Sequence, residues 1–178
     1  MAEATAADHD QNRRSEDRRP TPRRGDTRSR LTCLGPRAEP PLGAVTSAAV
    51  VAMRDDGSLL LAELDRGVDL PGGHVQHGDA SAEDAARRET WEEVRAELAD
   101  LILVEVVESD YFGPHDLTYM LIYAARVRRL HPWTGGHESA GRVELAPADF
   151  LARYQGTHPD LMRHYVTAAL AALGPAAE

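Results

Sequence analysis

Three glutamates, Glu89, Glu92 and Glu93, stand at spacings of three and four residues along the chain. If this stretch is helical, such spacings place the three carboxylates on one face. Three like charges there repel one another and cost stability unless cations bind between them. Oxygen ligands suit hard cations such as Mg²⁺, which also bridge to phosphate groups. The spacing therefore predicts a divalent metal site, with Arg88 four residues before Glu92 and able to pair with it.

The residues before the glutamates favour this interpretation. Gly72 and Gly73 allow the backbone to pass close to a ligand and to expose its peptide groups. A helix is predicted from about residue 82 to residue 98, because Ser81 and Asp84 have a spacing that resembles a capping box. The alternative is a solvated helix of mixed charge, which is a common pattern. The glycine turn ahead of the carboxylates makes the metal site the stronger interpretation.

Apolar segments on both sides of this helix predict the elements that support it. Residues 44–53 are small, β-branched and apolar, which is typical of a strand buried on both faces. The turn signal Asp55-Asp56-Gly57 predicts a hairpin into a second strand. The other strands are predicted at residues 58–64, 101–108, 117–127 and 142–145, and a second helix from Pro159 to the stop signal Gly174-Pro175. An α/β fold is therefore expected.

Composition restricts the class of protein. The 178 residues suffice for one domain with a sizeable core, together with a tail. No apolar run approaches the roughly 20 residues that cross a bilayer, and the charged first residues do not resemble a secretion signal. A single cysteine excludes an internal disulfide. A cytoplasmic protein without membrane contact is expected.

Charge is distributed unevenly along the chain. Residues 1–40 hold nine arginines and seven acidic residues, whereas residues 41–178 hold eleven arginines and twenty-two acidic residues. An acidic domain lacks the basic surface that a long nucleic acid needs. The polar composition of residues 1–40 predicts a disordered tail, with Cys33 incidental within it, ahead of a folded domain at 41–178. A basic arm for nucleic acid is the alternative, weakened by the interleaved acids.

The central segment resembles the signature of the Nudix hydrolase family, G-x5-E-x7-R-E-U-x-E-E-x-G-U, where U is a bulky aliphatic residue. Gly73 begins it, Asp79 takes the place of the first glutamate, and residues 88–93 read R-E-T-W-E-E. Residues 69–75, D-L-P-G-G-H-V, are also similar to the family's approach to this motif. The resemblance covers residues 44–150 and implies the Nudix fold, a mixed β-sheet sandwiched between helices, with the motif as a loop–helix–loop.

The sequence departs from this signature at several positions. Asp79 replaces glutamate, and eight residues instead of seven separate it from Arg88, which the loop before the helix should absorb. Thr90 replaces a bulky aliphatic residue, so a weaker packing contact is expected. Arg95 and Ala96 replace the glycine and the aliphatic residue that follow. The helix is therefore expected to continue instead of turning at a left-handed residue.

The resemblance implies a role for each matching residue. Glu92 and Glu93 would be the primary Mg²⁺ ligands, joined by Glu89 and the main-chain carbonyl of Gly72, with Mn²⁺ as an alternative ion. Arg88 would orient the glutamates. The implied reaction is attack of water on a phosphorus of a diphosphate, with the ions neutralising the developing charge.

Two further acidic positions follow from the same resemblance. Asp79 would act through water in the outer coordination shell. The family often draws one more carboxylate from a loop near the far end of the sheet, for which Glu138 is the first candidate and Asp116 the second. A solvated loop carboxylate is the alternative for Glu138. Either Glu89 or Glu138 would take the proton as general base.

Aromatic residues that stack on a nucleobase are candidates for substrate binding. Outside the motif these are Tyr111, Phe112 and Trp133, whereas Tyr119 lies in a predicted strand and is expected in the core. Trp91 is off the carboxylate face and is expected to pack against the sheet. Four histidines near the predicted site could contact phosphate, although each is more often a surface residue: His74, His77, His115 and His137.

The sequence leaves the substrate open among nucleoside triphosphates, nucleotide sugars, dinucleoside polyphosphates and non-nucleotide diphosphates. A small-molecule diphosphate is the expected partner, and a homodimer is left open. Two other classes of protein are alternatives. A ligand-sensing Nudix-fold module without hydrolysis is disfavoured by the intact glutamates. An isomerase of the isopentenyl-diphosphate type would need a catalytic cysteine in the core, and Cys33 is expected outside it.

Overall fold

The computed structural model describes residues 29–135 and 138–174. Within these ranges the chain forms nine strands, three α-helices and a 3-10 turn at Leu42–Ala44. The strands are β1 (Leu31–Cys33), β2 (Val45–Met53), β3 (Leu59–Leu64), β4 (Gly67–Asp69), β5 (Gly72–His74), β6 (Ala96–Leu98), β7 (Ile102–Ser109), β8 (Thr118–Leu130) and β9 (Gly141–Leu145). The helices are α1 (Ala82–Val94), α2 (Pro147–Arg153) and α3 (Pro159–Leu173).

One mixed sheet organises these elements. Its main path is β1-β7-β8-β2-β3-β4, and β5, β6 and β9 attach to β2, β8 and β3. The central pair β2–β8 is parallel, whereas the other pairs are antiparallel. The pairing of β5 with β2 places Gly73 opposite Ala48, beside the middle of the sheet.

Helices cover both faces of the sheet because alternate side chains of the central strands point in opposite directions. Val50 and Ala52 pack with residues of α1, including Ala86. Val51 and Met53 belong to a second core cluster together with residues of α2 and α3. The predicted α/β sandwich is confirmed. No helix in the described ranges is long and apolar enough to span a bilayer.

The predicted hairpin, the longer strands and the C-terminal helix are confirmed within a few residues at each end. The prediction that the first helix continues to residue 98 was wrong, because α1 ends at Val94 and residues 96–98 form β6. The sequence prediction also missed β4, β5 and α2. These elements have three to seven residues, too few for a hydrophobic period to show.

Strand β1 corrects the expected tail boundary at residue 40. It pairs antiparallel with β7, with Cys33 opposite Val107. Leu31 and Cys33 pack against the buried core, so this part of the chain does supply apolar side chains that dock. Its partner strand lies far along the chain, which is why no local pattern indicated the pairing. The first 28 residues of the predicted tail lie outside the described ranges.

Two truncations should separate the strand from the residues before it. Removal of residues 1–28 is expected to leave the melting temperature unchanged, because that segment is polar. Removal of residues 1–40 deletes β1 and exposes apolar surface on β7, so we expect a melting temperature lower by roughly 5–10 °C. Thermal unfolding followed by circular dichroism measures both changes. Equal melting temperatures for the two truncations would contradict a stabilising role for β1.

Candidate active site

Helix α1 carries the motif glutamates and is held in place by its N-terminal cap and its buried side chains. The hydroxyl of Ser81 accepts a hydrogen bond from the N–H of Asp84 at 3.1 Å, which confirms the predicted N-terminal cap. Ala85, Ala86 and Val94 are fully buried and belong to the cluster beneath the helix. Because these three side chains fix the rotation of α1, the glutamates of its last two turns have a defined direction.

The glutamates line one pocket at the start of β5. It has a volume of about 260 Å³ and is lined by Gly72, Gly73, His74, Gln76, Glu89, Glu92, Glu93 and Glu138. The structure therefore brings the three motif carboxylates together with the predicted loop carboxylate. Carboxylate oxygens are the ligands that Mg²⁺ prefers, so four carboxylates around one pocket could hold such an ion.

Arg88 organises this cluster from one side. Its Nη1 donates to Glu89 Oε1 at 2.8 Å and to Glu92 Oε2 at 3.2 Å. Its Nε and Nη2 donate to the two oxygens of Asp79 at 3.0 and 2.9 Å, and Nη2 also donates to the carbonyl of His74. The arginine thus orients the carboxylates and ties the motif loop to α1.

Asp79 serves this arginine within the described structure. The bidentate bond from Arg88 lowers the pKa of the Asp79 carboxyl, and the N–H of Gln76 contributes a further bond at 2.8 Å. The same contact raises the pKa of the Arg88 guanidinium above its ordinary value. The extra residue before Arg88 is absorbed in the loop ahead of α1, as predicted, because Asp79 still reaches the arginine. An outer-shell role for Asp79 at a metal stays a prediction.

Glu93 is the buried member of the cluster. Only 4% of its surface is exposed, and its Oε2 accepts a hydrogen bond from the N–H of Gly72 at 2.9 Å. Burial raises the pKa of Glu93 to about 7, and the negative charges of Glu89 and Glu138 add to this effect. A buried carboxylate that resists ionisation is a group that a bound cation would stabilise.

Close contacts surround the two glycines at the pocket. A Cβ on Gly72 would lie 2.5 Å from the carbonyl oxygen of Ala48 in the paired strand. A Cβ on Gly73 would lie 2.5 Å from Oε1 of Glu89. The glycine turn therefore admits the Glu89 carboxylate directly against the backbone of β5.

Alanine at position 73 should disturb the site without unfolding the chain. The added methyl group would displace the Glu89 carboxylate, so we expect Gly73→Ala to weaken the apparent affinity for a divalent ion at least tenfold. Ion titration monitored by turnover or by melting temperature measures this loss. Gly78→Ala is the matched control, since a Cβ there has no atom within 4 Å. Equal ion affinity in both variants would contradict the assigned contact.

Glu138 reaches the pocket because its neighbours are attached to α1 and β3. The buried Ser139 hydroxyl donates to the carbonyl of Glu93 at 2.6 Å, and the N–H of Ala140 donates to the carbonyl of Glu63 at 2.8 Å. Sequence reasoning did not single out Ser139, which carries no motif signal. Asp116, the second candidate, does not line the pocket.

The end of α1 differs from the sequence prediction. Arg95 adopts a left-handed conformation, with φ 55° and ψ 46°, and the helix ends there. Such a conformation costs a non-glycine residue about 1–2 kcal/mol. The guanidinium offsets this cost through two hydrogen bonds to the carbonyl of Gly135 and a position 5.5 Å from the Trp91 ring centre. The turn expected of glycine is thus made by arginine.

Thr90 and Trp91 are neighbours in α1 but differ in burial. Thr90 is fully buried, and its hydroxyl donates to the carbonyl of Ala86 at 2.8 Å, so its polar group is satisfied within the helix. Trp91 was expected to pack against the sheet, and this was wrong. Its surface is 40% exposed, and its ring packs edge-on against His131. Its position on the outer face of α1 explains the difference.

Only some of the predicted substrate aromatics lie near the site. Tyr111, Phe112 and Tyr119 line one cavity together with His74, which also lines the carboxylate pocket. Tyr119 is half-buried and donates to Glu108, so its expected place in the core was wrong. Trp133 lines neither this cavity nor the carboxylate pocket.

Of the four histidines, His74 alone is seen to line the carboxylate pocket; His77 and His115 are exposed outside it, and His137 lies outside the described residues. Sequence reasoning missed a third cavity, of about 280 Å³ and mainly apolar, between β2 and α3. It shares Gly72, Gly73 and His74 with the carboxylate pocket, and Tyr165 lines it from α3. The apolar stripe of α3 had indicated only core packing.

Comparison with known proteins gives the same answer as the geometry. The model of the NUDIX domain matches residues 44–165, which include all four pocket carboxylates. The chain therefore belongs to the NUDIX domain family, and with these carboxylates intact it is a Nudix-type hydrolase of phosphorus-containing anhydrides. No curated protein matches it.

Solved structures share the fold at low sequence identity. A pyrophosphohydrolase from Bacillus subtilis is 23% identical with a TM-score of 0.66, covering 84% of this chain and 93% of its own. A NUDIX hydrolase from Nitrosomonas europaea is 18% identical with a TM-score of 0.57, covering 72% and 90%. The NUDIX domain of Shewanella oneidensis NrtR, solved with ADP ribose, is 15% identical with a TM-score of 0.59, covering 73% and 88%.

Proposed function

We propose that this protein uses Mg²⁺, or Mn²⁺ in its place, to hydrolyse a diphosphate bond in a nucleoside diphosphate-linked or related small molecule. The convergence of Glu89, Glu92, Glu93 and Glu138 on one pocket carries the proposal. A solvated helix of mixed charge would not need a fourth carboxylate from a distant loop, nor a glutamate that is buried. The acidic pocket would attract phosphate only after cations had bound.

The donor set fits the ion. Glu92 and Glu93 would be the principal ligands, with Glu89 and the main-chain carbonyl of Gly72 completing the set. Bound Mg²⁺ would supply charge neutralisation at the phosphoryl group and a more acidic water. Arg88 holds Glu89 and Glu92 in place through bonds of 2.8 and 3.2 Å, so the carboxylates are oriented before any ion arrives.

Glu138 is the better candidate for the general base. One oxygen of Glu89 already accepts a bond from Arg88, and Gly73 lies against the same carboxylate. Glu138 is exposed at the pocket, and no hydrogen bond to its carboxylate is found within the described residues. An unengaged carboxylate at the solvent side can receive the proton of the attacking water, while Glu89 remains a ligand.

The two adjoining cavities are suited to the organic part of the substrate. The cavity with Tyr111 and Phe112 offers aromatic faces for stacking. The apolar cavity beneath α3 contains Tyr165, whose hydroxyl is buried without a hydrogen-bond partner among the described residues. A flat ring with a polar edge would fit this combination. That chemistry supports a nucleoside or a related heterocycle over a purely aliphatic diphosphate.

A substrate panel with Mg²⁺ tests the proposal. Nucleoside triphosphates, nucleotide sugars, dinucleoside polyphosphates and prenyl diphosphates would be compared by release of orthophosphate, pyrophosphate and nucleoside monophosphate. We expect cleavage of at least one nucleoside-linked diphosphate. Isomerisation of a prenyl diphosphate would overturn the proposal; it is disfavoured because Cys33, although it lies in β1, does not line the carboxylate pocket.

Glu138→Gln should separate the base from the metal ligands. We expect kcat to fall by about 10²–10⁴, with the Mg²⁺ concentration at half-maximal rate unchanged, because the amide cannot accept the proton. Initial rates across Mg²⁺ concentration measure both quantities. If Glu138→Gln instead shifts the Mg²⁺ requirement, the residue is a ligand.

A further inference from the structure

A second cluster of metal-ligating side chains lies away from the carboxylate pocket. Cys33 of β1, Glu105 of β7 and His164 of α3 place a sulfur, a carboxylate oxygen and an imidazole nitrogen within 4.8 Å of one another. None of the three lines the carboxylate pocket. They come from three elements that are distant in sequence, so their convergence results from the fold.

Glu105 is the centre of this cluster and is held rigidly. Its side chain is 4% exposed, and Oε1 accepts N–H bonds from Gly35 at 2.5 Å and Val106 at 3.0 Å. Oε2 lies 2.6 Å from Nε2 of His164, and the sulfur of Cys33 lies within 4.8 Å of this carboxylate. An irregularity in β7 between Leu103 and Glu105 accompanies this arrangement. A buried carboxylate is thereby fixed beside a thiol and an imidazole.

The donor set identifies the chemical class of ligand. Sulfur, nitrogen and oxygen together suit Zn²⁺ and similar transition ions, whereas Mg²⁺ takes oxygen ligands only. Tetrahedral Zn²⁺ places neighbouring ligand atoms roughly 3.3–3.6 Å apart. The three ligand atoms would therefore need to move by only about 1 Å to bind the ion. His164 is 50% exposed, which leaves an entry path and room for a water ligand. We propose that Cys33, Glu105 and His164 bind one Zn²⁺ ion.

The surroundings of Cys33 argue against a catalytic thiol. A nucleophilic cysteine needs a lowered pKa, whereas burial and the charge of Glu105 raise the pKa of the Cys33 thiol. A metal ion bound to the sulfur would displace its proton. The ion would connect β1 to α3, the helix that forms one wall of the apolar cavity through Leu161 and Tyr165.

Cobalt spectroscopy on the full chain tests this site directly. The chelator-treated, reduced protein would be titrated with Co²⁺, and we expect a thiolate-to-cobalt charge-transfer band that saturates at one equivalent. Because the chain has a single cysteine, such a band reports on Cys33 alone, and Co²⁺ among the carboxylates gives none. One equivalent of Zn²⁺ should remove the band, and excess Mg²⁺ should not.

Variants identify the other ligands. Cys33→Ser should lose the band and keep hydrolysis unchanged, His164→Gln should weaken Co²⁺ binding at least tenfold, and His115→Gln should match the wild type. Zn²⁺ should raise the melting temperature of the wild type by several degrees and that of Cys33→Ser much less. Absence of the band at saturating Co²⁺, equal Co²⁺ affinity in His164→Gln, or a band that weakens on dilution at fixed free Co²⁺ would overturn the proposal.

Discussion

Glutamine in place of Glu92 or Glu93 is expected to lower kcat by about three orders of magnitude or more while the protein stays folded. Each substitution removes one negative charge from the ligand set and leaves the size of the side chain unchanged. Glu93 has the deeper position, since 4% of its surface is exposed and the N–H of Gly72 donates to it. The amide oxygen of glutamine can accept the same bond, so the fold of the turn should persist.

The two variants should differ in melting temperature. A general loss of structure would instead lower the melting temperature of both. Glu93→Gln removes a buried group whose pKa is raised to about 7, so the metal-free variant should melt at or above the wild-type temperature at pH 8. Glu92 is one-third exposed and pairs with Arg88, so Glu92→Gln should change the melting temperature little. Glu83→Gln, in the first turn of the same helix, is the control. Near-normal turnover in either site variant would refute the assigned metal site.

The parts of the fold that were predicted correctly are those with a repeated local pattern. The strands at residues 45–53 and 59–64 showed continuous apolar runs around a turn signal, and α3 showed a helical stripe with a glycine at its end. The capping pair Ser81 and Asp84 located the start of α1 correctly. These features depend on neighbouring residues, so the sequence contains them directly.

The parts that were missed depend on contacts between distant residues. β1 exists because Cys33 and its neighbours complete an edge of β7, which nothing within residues 29–40 indicates. Arg95 ends α1 because Gly135 and Trp91 stabilise its left-handed conformation, and because Ala96 then pairs with β8. A rule based on glycine alone predicted continuation of the helix.

In the candidate site, too, the local features were predicted and the distant contacts were missed. Glu89, Glu92 and Glu93 share a helix face, so their convergence followed from spacing, and Arg88 pairs with Glu92 as expected. The placement of Glu138 depends on the pairing of β9 with β3, which is a contact between distant residues. The sequence indicated Glu138 only through the family resemblance. The cavity beneath α3 was not foreseen, because an apolar helical stripe has the same sequence pattern whether it packs tightly or lines a cavity.

Metal-free protein should lose stability as the pH rises. The pKa of Glu93 in the folded protein is raised to about 7 from an ordinary value of 4.5, chiefly by burial and then by the charge of Glu89. Between these two values the folded chain holds more protons than the unfolded chain, so the free energy of unfolding falls with increasing pH. The loss should be complete above pH 7 and amount to about 3 kcal/mol. Repulsion among the glutamates, which the spacing predicted, is thus the smaller cause.

Mg²⁺ should reverse this loss, and most strongly at high pH. Ligands must be ionised to bind the ion, so protons compete with it below about pH 6. At 100 times Kd the ion adds about 2.7 kcal/mol, or roughly 5–10 °C in melting temperature, at pH 8. Melts with MgCl₂, MnCl₂ and NaCl of matched ionic strength, at pH 5.5 and 8, measure the difference, and Glu93→Gln should lose both the pH dependence and most of the Mg²⁺ effect. A solvated charged helix would respond only to screening, so an equal shift with all three salts would remove the basis for the metal site and for the hydrolysis assigned to it.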